Sequence, residues 1–187
     1  MQLNEYHKAI INLAATGSAA VFDNKGVDHA ALVMSTIFDN SKSHVRIYAN
    51  NMKGDISNKD AYRNSVLKFL ESGKKLQIIL DDATHINISE GGAMNTLSML
   101  LKNFRQYSNF QVHIASEDFK KELTSKAKDK RLYHFAIGDS KMFRLELDAS
   151  THEAMCSFNS PKTAEVLEGV FENHFYSCNP AIQASTN

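Results

Sequence analysis

Four side chains that could carry out or support chemistry fall within one short stretch of the chain. They are His134, Asp139, Ser157 and Asn159. A histidine can take part in nucleophilic catalysis, and the three other side chains can hold an oxyanion or brace a hairpin. Residues 132–137 and 142–148 alternate in character, which predicts two strands joined by a polar turn at 138–141. The run 153–159 precedes Pro161, which is typical of a strand that leads into the first turn of a helix.

This stretch resembles the signature of the phospholipase D superfamily, HxKxxxxD followed by GSxN. With Asp139 on the motif aspartate, the motif lysine falls on His134 and the motif histidine on Leu132. Residues 156–159 fall on GSxN, with a cysteine in place of the glycine. In that family the histidine attacks phosphorus and forms a phosphohistidine, which a leucine cannot do. The resemblance therefore implies a degenerate, single-motif member that lacks the family's nucleophile, in which the four polar residues form a vestigial or altered catalytic site. Whether the chain is an enzyme stays open.

One basic cluster leads directly into the motif stretch. Between Lys120 and Arg131 there are six basic residues and two acidic ones. If the resemblance holds, part of this cluster could stabilise a phosphate charge together with a histidine further along the chain. The predicted phosphate-binding residues are Lys126, Lys128, Lys130, Arg131 and His152. The alternative interpretation is a solvated helix and loop.

Composition predicts one soluble cytoplasmic domain. The 187 residues are 43% hydrophobic and 22% charged, and equal numbers of basic and acidic residues give no net charge. Nucleic acid is therefore an open but not an indicated partner. The two cysteines and eight scattered histidines show no metal-ligand spacing, so we expect no metal and no cofactor. The sequence also lacks a signal peptide pattern and an apolar run long enough for a membrane span.

The elements that must position the motif stretch follow from periodicity. Predicted helices cover 3–16, 30–38, 59–72, 90–107, 117–125 and 161–176. Predicted strands before the motif cover 45–49, 76–80 and 110–115, with a short candidate at 19–22. Predicted helix caps are Asp28, Asn58, Ser116 and Ser160. Along 142–148 the alternation places Arg144, Glu146 and Asp148 on a solvent-facing side of the strand.

These elements predict an α/β fold, a mixed sheet flanked by helices, because two β-α-β units require right-handed crossovers over a sheet. The phospholipase D-like layout has the same order of elements. We expect a single domain over 1–178, with a helical extension at 1–26 and a flexible tail at 179–187.

Three functions stay open. The first is a non-catalytic phospholipase D-like module that binds a partner or a phosphate-bearing ligand. The second is a phosphodiesterase or nuclease that uses His134, which lies two residues along the strand from Leu132 and on the same face. A rise of about 3.3 Å per residue would displace His134 by roughly 6–7 Å from the expected place. The third is a structural or regulatory subunit of a bacterial assembly.

The resemblance also implies a homodimer. Proteins of that family build one active site from two motif copies, and this sequence contains one copy and no internal repeat. We therefore expect a two-fold dimer whose motif strands face each other. The centre of that interface would carry less charge than in the family, because Leu132 stands in place of a histidine and His134 in place of a lysine.

Overall fold

The computed structural model describes residues 2–52, 54–82 and 95–181. Its helices are α1 (Leu3–Ala15), α2 (Val27–Asn40), α3 (Asp55–Asn58), α4 (Asp60–Glu71), α5 (Thr96–Phe104), α6 (Glu117–Lys126) and α7 (Pro161–Phe175). Its strands are β1 (Phe22–Asn24), β2 (His44–Ala49), β3 (Lys75–Leu80), β4 (Phe110–Ile114), β5 (Phe135–Gly138), β6 (Met142–Asp148), β7 (Glu153–Ser157) and β8 (Asn179–Pro180).

The strands form one mixed sheet in the order β1-β7-β6-β5-β2-β3-β4-β8. Strands β2, β3 and β4 are parallel, and their connections run through helices. Strand β5 is antiparallel to β2, and β6, β7 and β1 continue antiparallel from it. The predicted α/β fold with a mixed sheet is therefore confirmed.

Two apolar layers cover the sheet. On one face, α1, α2, α4 and α5 pack on side chains that include Ile47, Ile78 and Ala136. On the other face, α6 and α7 pack on a second cluster that includes Tyr48 and Ile79. Strand β3 is covered on both faces, as its continuous apolar run predicts, because Ile78 and Ile79 point in opposite directions and both are 0% exposed.

The N-terminal region departs from the prediction at two points. The short strand lies at Phe22–Asn24, later than the candidate at 19–22, because these residues pair with β7 at the edge of the sheet. Helix α2 begins earlier, at Val27, after Gly26, whose φ of 87° is a backbone conformation that favours glycine. Asp28 therefore lies in the first turn rather than at the cap, and it pairs with Lys59 at 2.8 Å.

The other predicted caps have mixed outcomes. Ser116 caps α6 by accepting a hydrogen bond from the Phe119 amide. Asn58 is the last residue of α3, and Lys59 occupies the cap position of α4. The Asn58 side chain accepts a hydrogen bond from the Thr96 amide at the start of α5. Ser160 occupies the cap position of α7 but makes no side-chain cap bond.

The predicted helix at 90–107 is observed as Thr96–Phe104, and residues 83–94 lie outside the described residues. The predicted tail begins as strand β8, which pairs antiparallel with β4 at Asn179 and Pro180, and residues 182–187 also lie outside the described part. None of the helices in the described ranges has the length and apolar character that crossing a bilayer requires.

Candidate functional site

A cluster of charged side chains lies at the edge of the sheet where the parallel strands end. Asp81 directly follows β3, and His134 directly precedes β5. Because β2 is parallel to β3 and antiparallel to β5, the ends of β2 and β3 and the beginning of β5 meet at this edge. Ligands in open α/β sheets typically bind beyond the carboxyl ends of strands, where the strand order changes direction.

His134 lies between two carboxylates. Its Nε2 is 3.4 Å from an oxygen of Asp81, and its Nδ1 is 3.5 Å from an oxygen of Glu146. Burial alone would lower the pKa of His134, but hydrogen bonding to both carboxylates, together with their charges, raises it to about 9. The imidazole is therefore a cation at neutral pH, and both of its nitrogens carry protons.

The Asp81 side of the cluster lies on the sheet face covered by α6. Tyr48 donates a hydrogen bond of 2.7 Å to Asp81, and Lys120 of α6 lies 3.1 Å from the same oxygen. Burial raises the pKa of Asp81, but hydrogen bonds from His134, Tyr48 and Lys120 lower it to about 2. Asp81 is therefore a fixed anion that holds one side of the imidazolium.

The Glu146 side of the cluster lies on the opposite face. Arg144 and His152 approach one oxygen of Glu146 at 3.2 and 3.3 Å. Burial would raise the pKa of Glu146, but the hydrogen bond from His134 and the charge of Arg144 lower it to about 2. Two of the three residues predicted on a wet face are thus largely buried, since the side chains of Arg144 and Glu146 are 8% and 11% exposed.

His152 has a left-handed backbone that other side chains fix in place. Its φ is 54°, an uncommon conformation for a residue other than glycine. Its carbonyl accepts hydrogen bonds from Asn24 at 3.0 Å and from Arg144 at 3.2 Å. These contacts hold the imidazole of His152 beside Glu146.

The Glu146 side of the cluster forms one wall of a cavity of about 280 Å³. Among the buried lining residues, several apolar side chains form a floor: Met34, Ile47, Tyr62 and Ala136. The segment between β2 and α3 closes another side and includes Met52, a second lining residue with left-handed backbone, at φ 53°. Non-glycine residues in this conformation are concentrated at functional sites.

The structure separates Asp139 from His134. Asp139 lies in the turn between β5 and β6, at the opposite end of β5, where it and Ser140 have positive φ. Its carboxylate accepts hydrogen bonds from the amides of Lys42, Ser43 and His44. Burial would raise the pKa of Asp139, but these backbone hydrogen bonds lower it. Asp139 therefore braces the chain that enters β2.

Ser157 and Asn159 are also distant from His134. The amide of Glu146 bonds to the His134 carbonyl, whereas Ser157 pairs with Phe143, three residues back along β6. Three residues of strand correspond to roughly 10 Å. Ser157 is 0% exposed, and the Asn159 side chain donates to the carbonyl of Gly17. His134 therefore does not share a pocket with Ser157 or Asn159, because the register of β6 and β7 places these two residues toward the other end of the sheet.

The predicted phosphate-binding residues are divided between two environments. His152 lines the cavity, and the four residues from the basic cluster do not. Lys126, Lys128 and Lys130 are exposed, and Arg131 packs over the Tyr133 ring and donates to the Leu147 carbonyl. Leu132, at the position of the motif histidine, precedes β5 and is 36% exposed. Phosphate binding by these residues stays a prediction.

Sequence reasoning missed most of the cluster. Its unforeseen members are Asn24, Tyr48, Asp81, Lys120, Arg144 and Glu146. The pair Asp81-Asp82 directly after an apolar strand was the available signal for Asp81. Arg144 and Glu146 carried a second signal, since opposite charges two residues apart on a strand share one face.

The comparisons with known proteins concern the fold. No protein-family model and no curated protein sequence matches the chain. TrmBL2, an archaeal chromatin protein with its own mode of DNA binding, is 10% identical over 95% of this chain and 60% of that one, with a TM-score of 0.60. NucT from Helicobacter pylori is 18% identical over 86% of this chain and 99% of that one, with a TM-score of 0.54.

A third solved structure belongs to the phospholipase D family, whose signature the sequence resembles. Nuc from Salmonella typhimurium, a phospholipase D family member, is 16% identical over 86% of this chain and 98% of that one, with a TM-score of 0.52. At these identities the likeness establishes the fold, and function must be argued from the site. The chain has a phospholipase D-like fold. It spans 60% of the length of the archaeal protein and nearly all of Nuc and NucT.

Proposed function

We propose that the chain is a non-catalytic phospholipase D-like module that works by binding a ligand in the cavity beside Glu146. The observation that carries this proposal is the position of His134, whose two ring nitrogens lie 3.4 and 3.5 Å from carboxylate oxygens of Asp81 and Glu146. The degenerate motif supports it, since Leu132 stands where that family has its nucleophile.

The state of His134 argues against phosphoryl transfer. A nucleophile or general base needs an unprotonated ring nitrogen. With a pKa of about 9, roughly one His134 imidazole in a hundred is neutral at pH 7. Asp81 and Glu146 also surround the ring with negative charge, which would oppose the approach of a phosphate.

The cavity supports a binding role. It combines a buried apolar floor with a few convergent polar groups, which is the usual composition of a ligand site. Its two strained residues, Met52 and His152, approach it from different loops. Strain of this kind persists where the surrounding structure fixes a particular arrangement.

A turnover assay tests the non-catalytic role. The purified chain and its His134→Ala variant should both leave bis(4-nitrophenyl) phosphate, single-stranded DNA, RNA and phospholipid uncleaved. His113→Ala is a matched control, because His113 packs against Phe175 on the α7 face, outside the cavity lining. Turnover that His134→Ala abolishes and His113→Ala retains would instead establish the phosphodiesterase that uses His134.

A further inference from the structure

We propose that the cavity binds an uncharged molecule with an apolar body and one N–H or O–H group, which donates a hydrogen bond to Nε2 of His152. This inference deepens the proposed function and rests on it, because it assumes that the cavity takes a ligand. Three observations carry it: the contact that orients the His152 ring, the engaged state of the neighbouring polar groups, and the apolar floor.

The contact with Glu146 decides which ring nitrogen of His152 carries a proton. Nδ1 lies 3.3 Å from an oxygen of Glu146, and a carboxylate can only accept a hydrogen bond. In the neutral imidazole the proton therefore lies on Nδ1, and Nε2 keeps a lone pair. The backbone that carries the ring is fixed as well, because Asn24 and Arg144 both donate to the carbonyl of His152.

Nε2 of His152 is open to a ligand. The side chain is 26% exposed and lines the cavity. Nε2 has no hydrogen-bond partner within the described residues, and it is not a buried atom, unlike the hydroxyl groups of Tyr6 and Tyr62. A donor group on a ligand would therefore form a hydrogen bond there without displacing one that the chain makes.

Neighbouring polar groups of the wall already have partners. The hydroxyl groups of Tyr48 and Ser57 donate within the chain, to a carboxylate and to a backbone carbonyl, each at 2.7 Å. Both ring nitrogens of His134 lie beside carboxylates. Glu146 shares one oxygen between a guanidinium and an imidazole. A ligand therefore meets an unfilled acceptor at His152 next to groups whose hydrogen bonds are made.

The same wall disfavours a net charge on the ligand. An anionic group beside His134 would face Asp81 and Glu146, the repulsion that also opposes a phosphate. A cationic group would lose its water beside the guanidinium of Arg144, which already pairs with the carboxylate of Glu146. A neutral donor avoids both costs.

The floor selects an apolar body of limited length. Met34, Ile47 and Ala136 line the cavity and are at most 5% exposed. The volume of about 280 Å³ is what about nine molecules of liquid water would occupy. A short alkyl chain that ends in an amide or a hydroxyl group is of this size.

Two isosteric probes and one variant test the hydrogen bond. Hexanamide and 2-heptanone share an alkyl chain and a carbonyl, and they differ in an NH2 group that replaces a methyl group. His152→Asn removes Nε2 but keeps an amide N–H for Glu146, and asparagine tolerates the left-handed backbone. Dissociation constants are measured at pH 8 from amide and methyl chemical shifts of the labelled protein.

We expect His152→Asn to weaken the binding of hexanamide about five-fold and to leave that of 2-heptanone unchanged. His113→Asn is the matched control, because His113 lies outside the cavity lining, and it should weaken neither probe. Hexanoate and hexylammonium should bind the unmodified protein more weakly than hexanamide. Tighter binding of either charged probe would overturn the inference, as would an equal effect of His152→Asn on hexanamide and 2-heptanone.

Nitrogen spectra of the histidine rings test the same contact without a substitution. They are recorded at pH 8, above the usual titration range of histidine. We expect His152 to carry its proton on Nδ1, and we expect hexanamide, but not 2-heptanone, to shift the Nε2 resonance. A proton on Nε2 in the free protein would overturn the inference.

The outcomes separate the two proposals. If no probe shifts the resonances of Met34, Ile47 and Met52, the cavity does not bind ligands of this size and the proposed function fails. If hexanamide and 2-heptanone shift them and His152→Asn does not distinguish the two, the cavity binds and only the ligand class is wrong.

Discussion

The charge of His134 predicts a specific loss of stability at alkaline pH. In the folded chain its pKa is raised from 6.5 to about 9 by Asp81 and Glu146. A group whose pKa is raised by folding stabilises the fold fully below its unfolded pKa, and this contribution is lost as the pH rises through the folded pKa. At about 1.4 kcal/mol per pKa unit, the contribution is about 3 kcal/mol below pH 6.5.

The measurement is the free energy of unfolding in urea at pH 7 and at pH 9.5. We expect the unmodified chain to lose about 2 kcal/mol over this interval, since part of the contribution is already lost at pH 7. Burial and the charge of Arg46 lower the pKa of His44. Starting the comparison at pH 7 therefore avoids most of the His44 titration. The His134→Gln variant should be less stable at pH 7 and should lack most of this decline.

A parallel decline of the unfolding free energy in both proteins would contradict this prediction. His134 would then not be a cation held by two carboxylates, and the argument against catalysis would lose its main support. Subtracting the curve of the variant removes the pH dependence that both proteins share.

Three further predictions follow from the turn, the glycines and the expected assembly. Asp139→Ala removes the acceptor of three backbone amides and should lower the free energy of unfolding in urea by about 2 kcal/mol. Asp139→Asn should lower it less, and equal losses would contradict the role of the carboxylate in holding these amides. Gly138→Ala should lower the free energy of unfolding by about 1–3 kcal/mol, because a Cβ there would collide with the Ser41 hydroxyl. In the matched Gly169→Ala variant of α7 the Cβ meets no atom within 4 Å, so the free energy of unfolding should rise by up to about 1 kcal/mol. We also propose the two-fold homodimer that the resemblance implies, and light scattering at tens of micromolar should give twice the mass of the chain; a strict monomer would contradict it.

Local signals in the sequence were sufficient for most of the framework. The largely apolar run at 76–80 predicts a strand covered on both faces, and β3 is such a strand, because consecutive apolar side chains such as Ile78 and Ile79 point to opposite faces and both must be buried. Pro161 and the periodic apolar residues after it predict α7 from its first residue, because proline at N1 gives up an amide that a helix does not use. The polar turn at 138–141 likewise needs only local backbone preferences.

The site depended on tertiary structure. Asp81 and Glu146 are 65 residues apart in sequence (146 − 81), and only the antiparallel placement of β5 between β2 and β6 brings both to His134. The alternation along β6 indicated a wet face for Arg144, but the edge residue Asn24 and the loop at His152 cover it, and no local pattern specifies either contact.

The motif shows the same limit. The residue pattern identifies the positions that match the signature, and it predicts Asp139 in a turn between two strands. The pattern does not indicate that Asp139, Ser157 and Asn159 lie away from His134, which the folded chain shows. The physical reason is strand register: spacing along the chain fixes which face a residue occupies, but the hydrogen-bonded pairing of neighbouring strands decides which residues of different strands lie side by side.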